Sequence, residues 1–152
     1  MTPPARTPEQ RKHDAVERLE HDVDAWVASA DGSDGTPYLV PLSFLWDGVT
    51  LLIATPASSP TGHNLQATGR VRVGIGTTRG VVIIEGTVTA QPAAEVPDEV
   101  GEAFAAKTGF DPRRLTDPYL YFRIYPQRMQ AWREANELRD RELMIGGQWI
   151  VP

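Results

Sequence analysis

An Asp-Gly pair at positions 47 and 48 separates two apolar runs, and this feature constrains the fold of the chain more than any other. Between apolar runs, this dipeptide is a strong β-hairpin signal because glycine supplies the positive φ of a tight turn. We therefore predict one strand over residues 38–46 and a second over residues 49–55. Pro41 lacks an N–H donor, so the first strand must lie at a sheet edge, carry a bulge or break where it faces a ligand.

Similar signals continue along the rest of the chain. Alternating apolar residues predict further strands over 23–30, 70–77, 81–90, 119–125 and 128–134, and a small hairpin around Gly146-Gly147. Helices are predicted from about Thr7 to His21, just after Ser59, and over 96–107. Sequential antiparallel strands with one helical crossover describe a meander that closes on itself. We therefore predict a mainly β fold with peripheral helices, built on a six- or seven-stranded antiparallel barrel.

Composition limits the partners and the compartment. The 152 residues suit one domain, which we place at 7–152, after a Pro-containing tail at 1–6 that we expect to be disordered. Twenty acidic against 15 basic residues, with no basic block, argue against nucleic acid as a partner. The lack of cysteine rules out disulfides and thiol chemistry. With no membrane-spanning stretch and no signal peptide, we expect no membrane association and a cytoplasmic location.

The stretch from Leu51 to Gly76 joins a strand to a helix through a loop rich in Pro, Ser and Thr. Ser58 or Ser59 can cap the helix, Pro60 suits its first position, and Gly69 can close it. Such a helix start directs free N–H groups and a positive helix end into a polar loop, where a phosphate or carboxylate can bind. Taken alone, the segment is more simply explained as a capped surface helix between two strands.

Two further positions suit a planar or phosphorylated ligand. His63, inside the helix after Ser59, can bond a phosphate or a cofactor ring edge, or it can be an ordinary surface histidine. Trp132 beside Arg133 can stack on a planar ligand, or belong to the core or to a dimer interface. No G-x-S-x-G motif is present, and we predict no catalytic side chain.

Charged residues elsewhere have simpler explanations. His13, Glu17 and His21 can line one helix face as metal ligands do, but a solvated polar face explains them better, so no metal site is predicted. Arg70 and Arg72 share one face of their strand. They are either solvent-facing or paired with acidic groups of a partner or ligand.

Five short pieces of the chain, in a fixed order, carry a family resemblance. They are Leu39-Val40-Pro41-Leu42-Ser43-Phe44, Leu52-Ile53-Ala54-Thr55, Ser59-Pro60-Thr61-Gly62-His63-Asn64-Leu65, Arg70-Val71-Arg72-Val73 and Gln130-Ala131-Trp132-Arg133. Together they resemble the FMN-binding split-barrel family typified by pyridoxamine 5′-phosphate oxidase, and most closely its actinobacterial branch that uses FMN or the deazaflavin F420. The resemblance rests on order and spacing over about residues 23–133. It implies a split barrel that forms a homodimer with cofactor sites at the interface.

The resemblance also implies a site for the cofactor. The residues implied near its phosphate are Ser59, Thr61, His63 and Asn64. Those implied along its ring or ribityl chain are Pro41, Ser43, Ala54 and Thr55, with Trp132 supplied by the partner subunit. The family often has Lys or Arg where this chain has Thr61, and neither occurs from Thr55 to Gly69. Phosphate binding would therefore rest on hydroxyls, backbone N–H groups, His63 and Arg79.

The implied activity is hydride transfer between bound FMN or F420 and a small organic substrate, in which the cofactor carries the chemistry. Authentic pyridoxamine phosphate oxidation is not expected, because no cationic cluster resembling a second phosphate site occurs near the C terminus. The missing cation leaves open a non-catalytic cofactor-binding or small-ligand-sensing module on the same barrel. A third possibility is a barrel that has lost its ligand and acts through protein contacts.

Overall fold

A computed structural model describes all residues, 1–152, as one antiparallel sheet of nine strands with three α-helices. The strands are β1 (Asp24–Ala30), β2 (Pro37–Ser43), β3 (Leu45–Trp46), β4 (Leu51–Pro56), β5 (Arg70–Thr77), β6 (Gly80–Pro92), β7 (Tyr119–Trp132), β8 (Glu142–Ile145) and β9 (Gln148–Trp149). The helices are α1 (Pro8–His21), α2 (Pro60–Thr68) and α3 (Asp98–Thr108). None of these helices is long and apolar enough to cross a membrane.

Seven strands form one hydrogen-bonded path in the order β2-β1-β5-β6-β7-β4-β3, and β8 and β9 extend from β7. The mainly β, antiparallel barrel predicted from the sequence is therefore confirmed, as a half-barrel. The Asp47-Gly48 hairpin is also confirmed, because Leu45 pairs with Leu52 and Trp46 with Leu51 across it. Gly48 has a φ of 96°, the positive value that the turn requires.

The predicted strand over 38–46 is two strands in the structure. β2 pairs with β1 and β3 pairs with β4. The change of partner occurs at Phe44, whose side chain is buried in the barrel and whose N–H donates to Val23 O at 2.9 Å. Pro41 lies in β2, at the edge of the strand order, which is one of the three positions that its missing N–H allows.

The strands predicted over 119–125 and 128–134 are, by contrast, one strand, β7. Opposite Gly86 of β6, β7 carries one extra residue, Gln127, in a β-bulge. The bulge interrupts the alternation of buried and exposed residues, which is why the sequence indicated two strands. A side chain at Gly86 would place its Cβ 2.8 Å from the Ile124 side chain, so this close crossing of β6 and β7 requires glycine.

Two hydrophobic cores lie on either side of β4. Leu51 and Ile53 face a core of 20 buried residues inside the half-barrel. Leu52 and Ala54 face a smaller core of five buried residues beneath α3. Burial on both faces explains why β4 reads as a continuous apolar run rather than an alternating one.

Helix α1 is fixed to the other end of the chain. It begins with the predicted capping box, in which Thr7 and Gln10 bond each other's backbone. Leu19 on its inner face is fully buried. The Lys12 ammonium donates to Val151 O at 2.9 Å, so α1 is tied to the last residues of the chain.

Residues 1–6 precede α1 without helix or strand. Arg6 donates to the Glu137 carboxylate through Nε at 3.0 Å and Nη2 at 2.8 Å. Pro3 O accepts from Asn136 and Pro4 O from Arg133. The disorder predicted for residues 1–6 stays a prediction. A disordered tail would lack these hydrogen bonds.

Candidate functional site

A cleft of about 420 Å³ opens between the ends of β2 and β4, against α3. Four residues that the sequence suggested for a cofactor's ring or ribityl chain line this β2–β4 cleft, namely Pro41, Ser43, Ala54 and Thr55. β2 and β4 lie toward opposite ends of the strand order and share no ladder. The curvature of the half-barrel brings them together, and the cleft occupies the gap that the unpaired edges leave.

The polar side chains of the β2–β4 cleft are the hydroxyl-bearing Ser43, Thr55 and Tyr119 and the carboxylate of Asp24. The Ser43 hydroxyl donates to Asp24 Oδ1 at 2.6 Å, and both residues line the cleft. Thr55 Oγ1 lies 3.0 Å from the hydroxyl of Ser59. Pro41 is exposed on β2 whereas Ala54 is buried beneath α3, so the cleft runs from solvent to the edge of the smaller core.

Aromatic side chains form the α3 side of the cleft. Phe104, Phe110 and Tyr119 line it. The rings of Phe110 and Tyr119 are 5.6 Å apart, and Phe104 meets Tyr121 edge-on at 5.4 Å. Burial raises the pKa of Tyr121, whose hydroxyl has no hydrogen-bond partner. This wall supplies apolar surface for a planar ligand.

Sequence reasoning missed these aromatic residues and Asp24. Phe104 and Phe110 lie about 50 positions after β4, and no local periodicity relates α3 to that strand. Tyr119 could have been found, because the alternating aromatic residues at the start of β7 predicted a strand, and Pro56 pairs with Tyr119 once β4 and β7 are adjacent. Asp24 reaches the cleft only because β1 pairs with β2.

Helix α2 begins as predicted, with Ser59 as its cap and Gly69 in the left-handed conformation at its end. Ser59 Oγ accepts from Gly62 N at 2.9 Å, and His63 N donates to Ser59 O at 2.9 Å. Since Pro60 has no N–H, Thr61 supplies the free N–H of the first turn.

The four residues suggested for the phosphate do not converge on one surface. Thr61 is 2% exposed and its hydroxyl is buried without a partner. Asn64 is buried too, and its amide donates to Ser29 Oγ at 3.1 Å. His63 is exposed, whereas the Ser59 hydroxyl is occupied by the helix cap. None of the four lines the β2–β4 cleft.

Trp132 lies far from the other suggested residues. It pairs with Val81 at the end of β7, whereas Tyr119 at the start of β7 pairs with Pro56 beside the cleft. Thirteen steps of about 3.3 Å separate the two ends, roughly 43 Å along the strand. Trp132 therefore does not line the β2–β4 cleft of its own chain. Arg141 stacks on its ring instead, 5.6 Å from the centroid.

The charges around the cleft suit a neutral ring better than an anion. Asp24 is the one charged side chain that lines it. Lys107 of α3 turns away, donating to Leu19 O at 3.3 Å with its ammonium over the Phe44 ring at 4.0 Å. Burial lowers the pKa of Lys107. The residues present therefore fit the flat part of a flavin or deazaflavin, but they hold no cation for its phosphate.

The potential metal ligands of α1 are arranged differently from the set considered in the sequence. Glu17, Glu20 and His21 bring ligand atoms within 4.8 Å of one another, and all three are exposed. His13 approaches Glu17 only to 4.0 Å. The prediction of no metal site stays a prediction.

Comparison with known proteins agrees with the fold. The family model described as pyridoxamine 5′-phosphate oxidase matches residues 12–133. No curated protein matches the chain in sequence. Solved structures do: one named F420 reductase is 20% identical, with a TM-score of 0.57, over 74% of this chain and 93% of that one. A FAD-binding protein from Mesorhizobium loti is 21% identical, with a TM-score of 0.61, over 79% and 90%.

A heme binding protein from Mycobacterium smegmatis also shares the fold, at 14% identity and a TM-score of 0.63, over 97% of this chain and 60% of that one. These similarities establish the architecture and leave the ligand open, because proteins named for F420, FAD and heme share it. The family match covers most of the sheet, including β2, β4 and the start of α2. The chain thus belongs to the pyridoxamine 5′-phosphate oxidase family of split barrels.

Proposed function

We propose that the chain binds a flavin or deazaflavin, FMN or F420, with the ring in the β2–β4 cleft, and exchanges hydride between it and a small organic substrate. The observation that carries the proposal is that one cleft is lined by residues of two strands that do not pair with each other, namely Pro41 and Ser43 of β2 and Ala54 and Thr55 of β4. The likeness to structures named F420 reductase and FAD-binding protein supports the same class of ligand.

The lining residues have separate parts in this proposal. Pro41 and Ala54 present small apolar surfaces on which a flat ring can lie. The hydroxyls of Ser43 and Thr55 provide hydrogen-bonding groups at the cleft, and the aromatic wall on the α3 side reduces access of water. When bound, the cofactor supplies the hydride donor or acceptor, so the chain's task is to bind and orient.

The chain offers few groups that could bind the phosphate of the cofactor. The start of α2 follows Pro56 after three residues and offers the free N–H of Thr61 and the positive helix end. No cationic side chain accompanies them, since Lys and Arg are absent from Thr55 to Gly69. We therefore expect FMN to bind no more than about fivefold more tightly than riboflavin, which lacks the phosphate.

We also propose that the protein is a homodimer that buries the outer face of β1, β2, β5 and β6. Trp26 on β1 is 54% exposed and Leu39 on β2 is 60% exposed. Both line a mainly apolar groove of about 310 Å³ that continues to Gly74 and Ile83. Large exposed apolar surfaces of this kind mark association sites.

A row of charges that begins on this face and continues onto β7 and β8 suits a second copy as the occupant. Arg72, Glu85, Arg128 and Glu142 form a continuous row of ion pairs across β5, β6, β7 and β8. Their signs alternate, two positive and two negative. When such a row meets its own copy in reverse order, Arg72 lies opposite Glu142 of the partner subunit, so the face is self-complementary in charge.

The second candidate is a non-catalytic module that binds a neutral planar ligand. The buried, unpartnered Thr61 hydroxyl and the single carboxylate of the cleft favour it, since neither assists a phosphorylated cofactor. A module of this kind would bind riboflavin or another flat molecule, and it would show no turnover when a reductant is added.

Titration of the purified protein with FMN, FAD, F420 and riboflavin tests the proposal, followed by ligand fluorescence and by thermal shift. We expect at least one of these four ligands to bind with a Kd below about 1 mM. Ser43→Leu should abolish it by filling the cleft. The matched control is Ser58→Leu, which alters an exposed serine outside the cleft. If no ligand binds below millimolar concentration, the oxidoreductase proposal fails.

A further inference from the structure

A second cleft, of about 520 Å³, lies between α1, the start of β6 and the segment after β7. Four arginines line this arginine cleft, namely Arg6, Arg18, Arg79 and Arg133. They come from the tail, from α1, from the turn between β5 and β6 and from the end of β7. Only the folded barrel brings them together, and it does so at the opposite end of β7 from the β2–β4 cleft.

Carboxylates outside the lining hold the arginines in place. Glu137 binds Arg6, Glu134 binds Arg79 at 2.7 Å, and Asp22 binds Arg18 at 3.2 Å. None of these three carboxylates lines the cleft. They therefore orient the guanidinium groups without occupying the space between them.

Arg18 also packs against glycine backbone. A Cβ on Gly76 would lie 3.1 Å from both Nε and Cζ of Arg18, and one on Gly80 would lie 3.4 Å from its Nη2. The guanidinium thus rests on a part of the β5–β6 turn that carries no side chains. Arg18 is held in position by this packing as well as by its ion pair.

Three of the arginines keep most of their donors unused. A guanidinium has five N–H groups. Arg18 and Arg79 each bond through Nη1 alone, to Asp22 and Glu134. The Arg133 side chain bonds through Nη2, to Pro4 O. On each, Nε and one complete NH₂ group therefore have no hydrogen-bond partner within the protein.

The unused donors and the floor of the cleft define the ligand. Asp14 and Glu17 line the cleft with the four guanidiniums, and Asp22, Glu134 and Glu137 pair with the arginines from outside it. Recognition of an anion therefore rests on directed N–H donors and not on an excess of positive charge. Asp14 is itself bonded by Arg6 at 3.0 Å. Buried Ala15, Val82 and Ala131 form an apolar floor.

We propose that the arginine cleft binds a small phosphomonoester, with the phosphate on Arg18, Arg79 and Arg133 and the organic part on the apolar floor. Donors from three elements suit a tetrahedral group with three terminal oxygens, whereas a planar carboxylate is satisfied by one guanidinium. The site lies apart from the β2–β4 cleft and does not depend on flavin binding there.

Phenyl phosphate is a suitable probe because it combines a dianion with an apolar ring. Calorimetric titration of the full chain should show one site, and the Nε–H signals of Arg18 and Arg79 should shift in NMR spectra. Phenol, which lacks the phosphate, should not bind measurably. Riboflavin should not compete, because it would occupy the other cleft.

Charge-removing variants separate this site from general attraction of anions. Arg18→Gln and Arg79→Gln should each weaken phenyl phosphate binding by about tenfold or more, since each removes charge-assisted hydrogen bonds. Arg70→Gln removes an exposed arginine outside the cleft and should leave binding unchanged. Equal weakening in all three variants, or no binding of phenyl phosphate by the intact chain, would overturn the proposal, whether or not a flavin binds.

Discussion

Arg6 and Glu137, which are 131 positions apart, are joined by three hydrogen bonds. The backbone N–H, Nε and Nη2 of Arg6 all donate to the Glu137 carboxylate, at 2.7, 3.0 and 2.8 Å. Glu137 is 1% exposed and also accepts from the Arg133 backbone. The pair connects the segment before α1 to the turn after β7, and its Arg6 lines the arginine cleft.

This pair should make the stability of the protein depend on pH in the acid range. The hydrogen bonds from Arg6 lower the pKa of Glu137 from 4.5 to about 2. Because the folded pKa is lowered, the stabilisation is complete above about pH 4.5 and is lost as pH falls towards 2. The shift corresponds to roughly 3 kcal/mol at most. In urea denaturation, Glu137→Gln should have a lower free energy of unfolding than the wild type at pH 7. The difference between the two proteins should be smaller at pH 3. A difference independent of pH would contradict this.

The cap of α2 should contribute measurably to stability. Ser59→Ala removes the acceptor for Gly62 N–H and should lower the free energy of unfolding by about 1 kcal/mol. Ser58→Ala alters the exposed neighbour, which makes no such bond, and should be neutral. Chemical denaturation of the two variants checks the comparison. Equal effects at both serines would show that the cap contributes nothing.

Gly62 should not tolerate a side chain. A Cβ there would lie 2.4 Å from Pro56 O and 2.9 Å from Ala57 O, both backbone atoms that cannot move without displacing the loop after β4. Gly62→Ala should cost about 2 kcal/mol or more of unfolding free energy. The control is Gly74→Ala, whose Cβ would meet only the Ile83 side chain at an ordinary 3.6 Å. The measurement is the Tm of the two variants. A lower Tm for Gly74→Ala than for Gly62→Ala would contradict the prediction.

A cation can be restored near α2 at His63 but not at Thr61. Thr61 is buried, so Thr61→Lys should destabilise the fold rather than tighten a phosphate. His63→Lys places an ammonium on the exposed first turn and should tighten FMN by about threefold without changing riboflavin affinity. Gln66→Lys, exposed one turn later, should have a smaller effect. The ratio of FMN to riboflavin affinity is the measurement, and an unchanged ratio in His63→Lys would place the phosphate elsewhere.

The proposed dimer should depend on Trp26. Trp26→Glu places a charge in the apolar groove and should convert a dimer into a monomer in sedimentation velocity. Val49→Glu changes a residue that is 72% exposed in the hairpin and outside the groove, and it should leave the dimer intact. A wild-type protein that sediments as a monomer at micromolar concentration would refute the dimer.

The architecture was predictable from sequence where local signals are strong. The Asp47-Gly48 turn, the Thr7 capping box and the Ser59 cap are each encoded within about four residues, and each is confirmed. The errors lie where tertiary pairing overrides local pattern. Because of the bulge at Gln127, the single strand β7 was predicted as two strands. The change of partner at Phe44 was not visible in the sequence, so β2 and β3 were predicted as one strand.

The candidate site was predictable only in part, for a related reason. Pro41 and Thr55 were found because they belong to pieces that resemble the family, and they do share a cleft. The inward orientation of Thr61 was not predictable, because the rotation of α2 is set by packing, including the contact of Gly62 with Pro56. Arg18 and Arg79 meet only through the path of α1 across the barrel, which no short motif encodes.

The contact between Lys12 and Val151 has a consequence for synthesis of the chain. Helix α1 is translated before β9 and Val151, yet it contacts both. Until these later residues have left the ribosome, Leu19 and its neighbours on α1 have no complete surface to cover. We expect α1 of the nascent chain to stay undocked until Val151 has emerged, so that α1 docks late although it is made early.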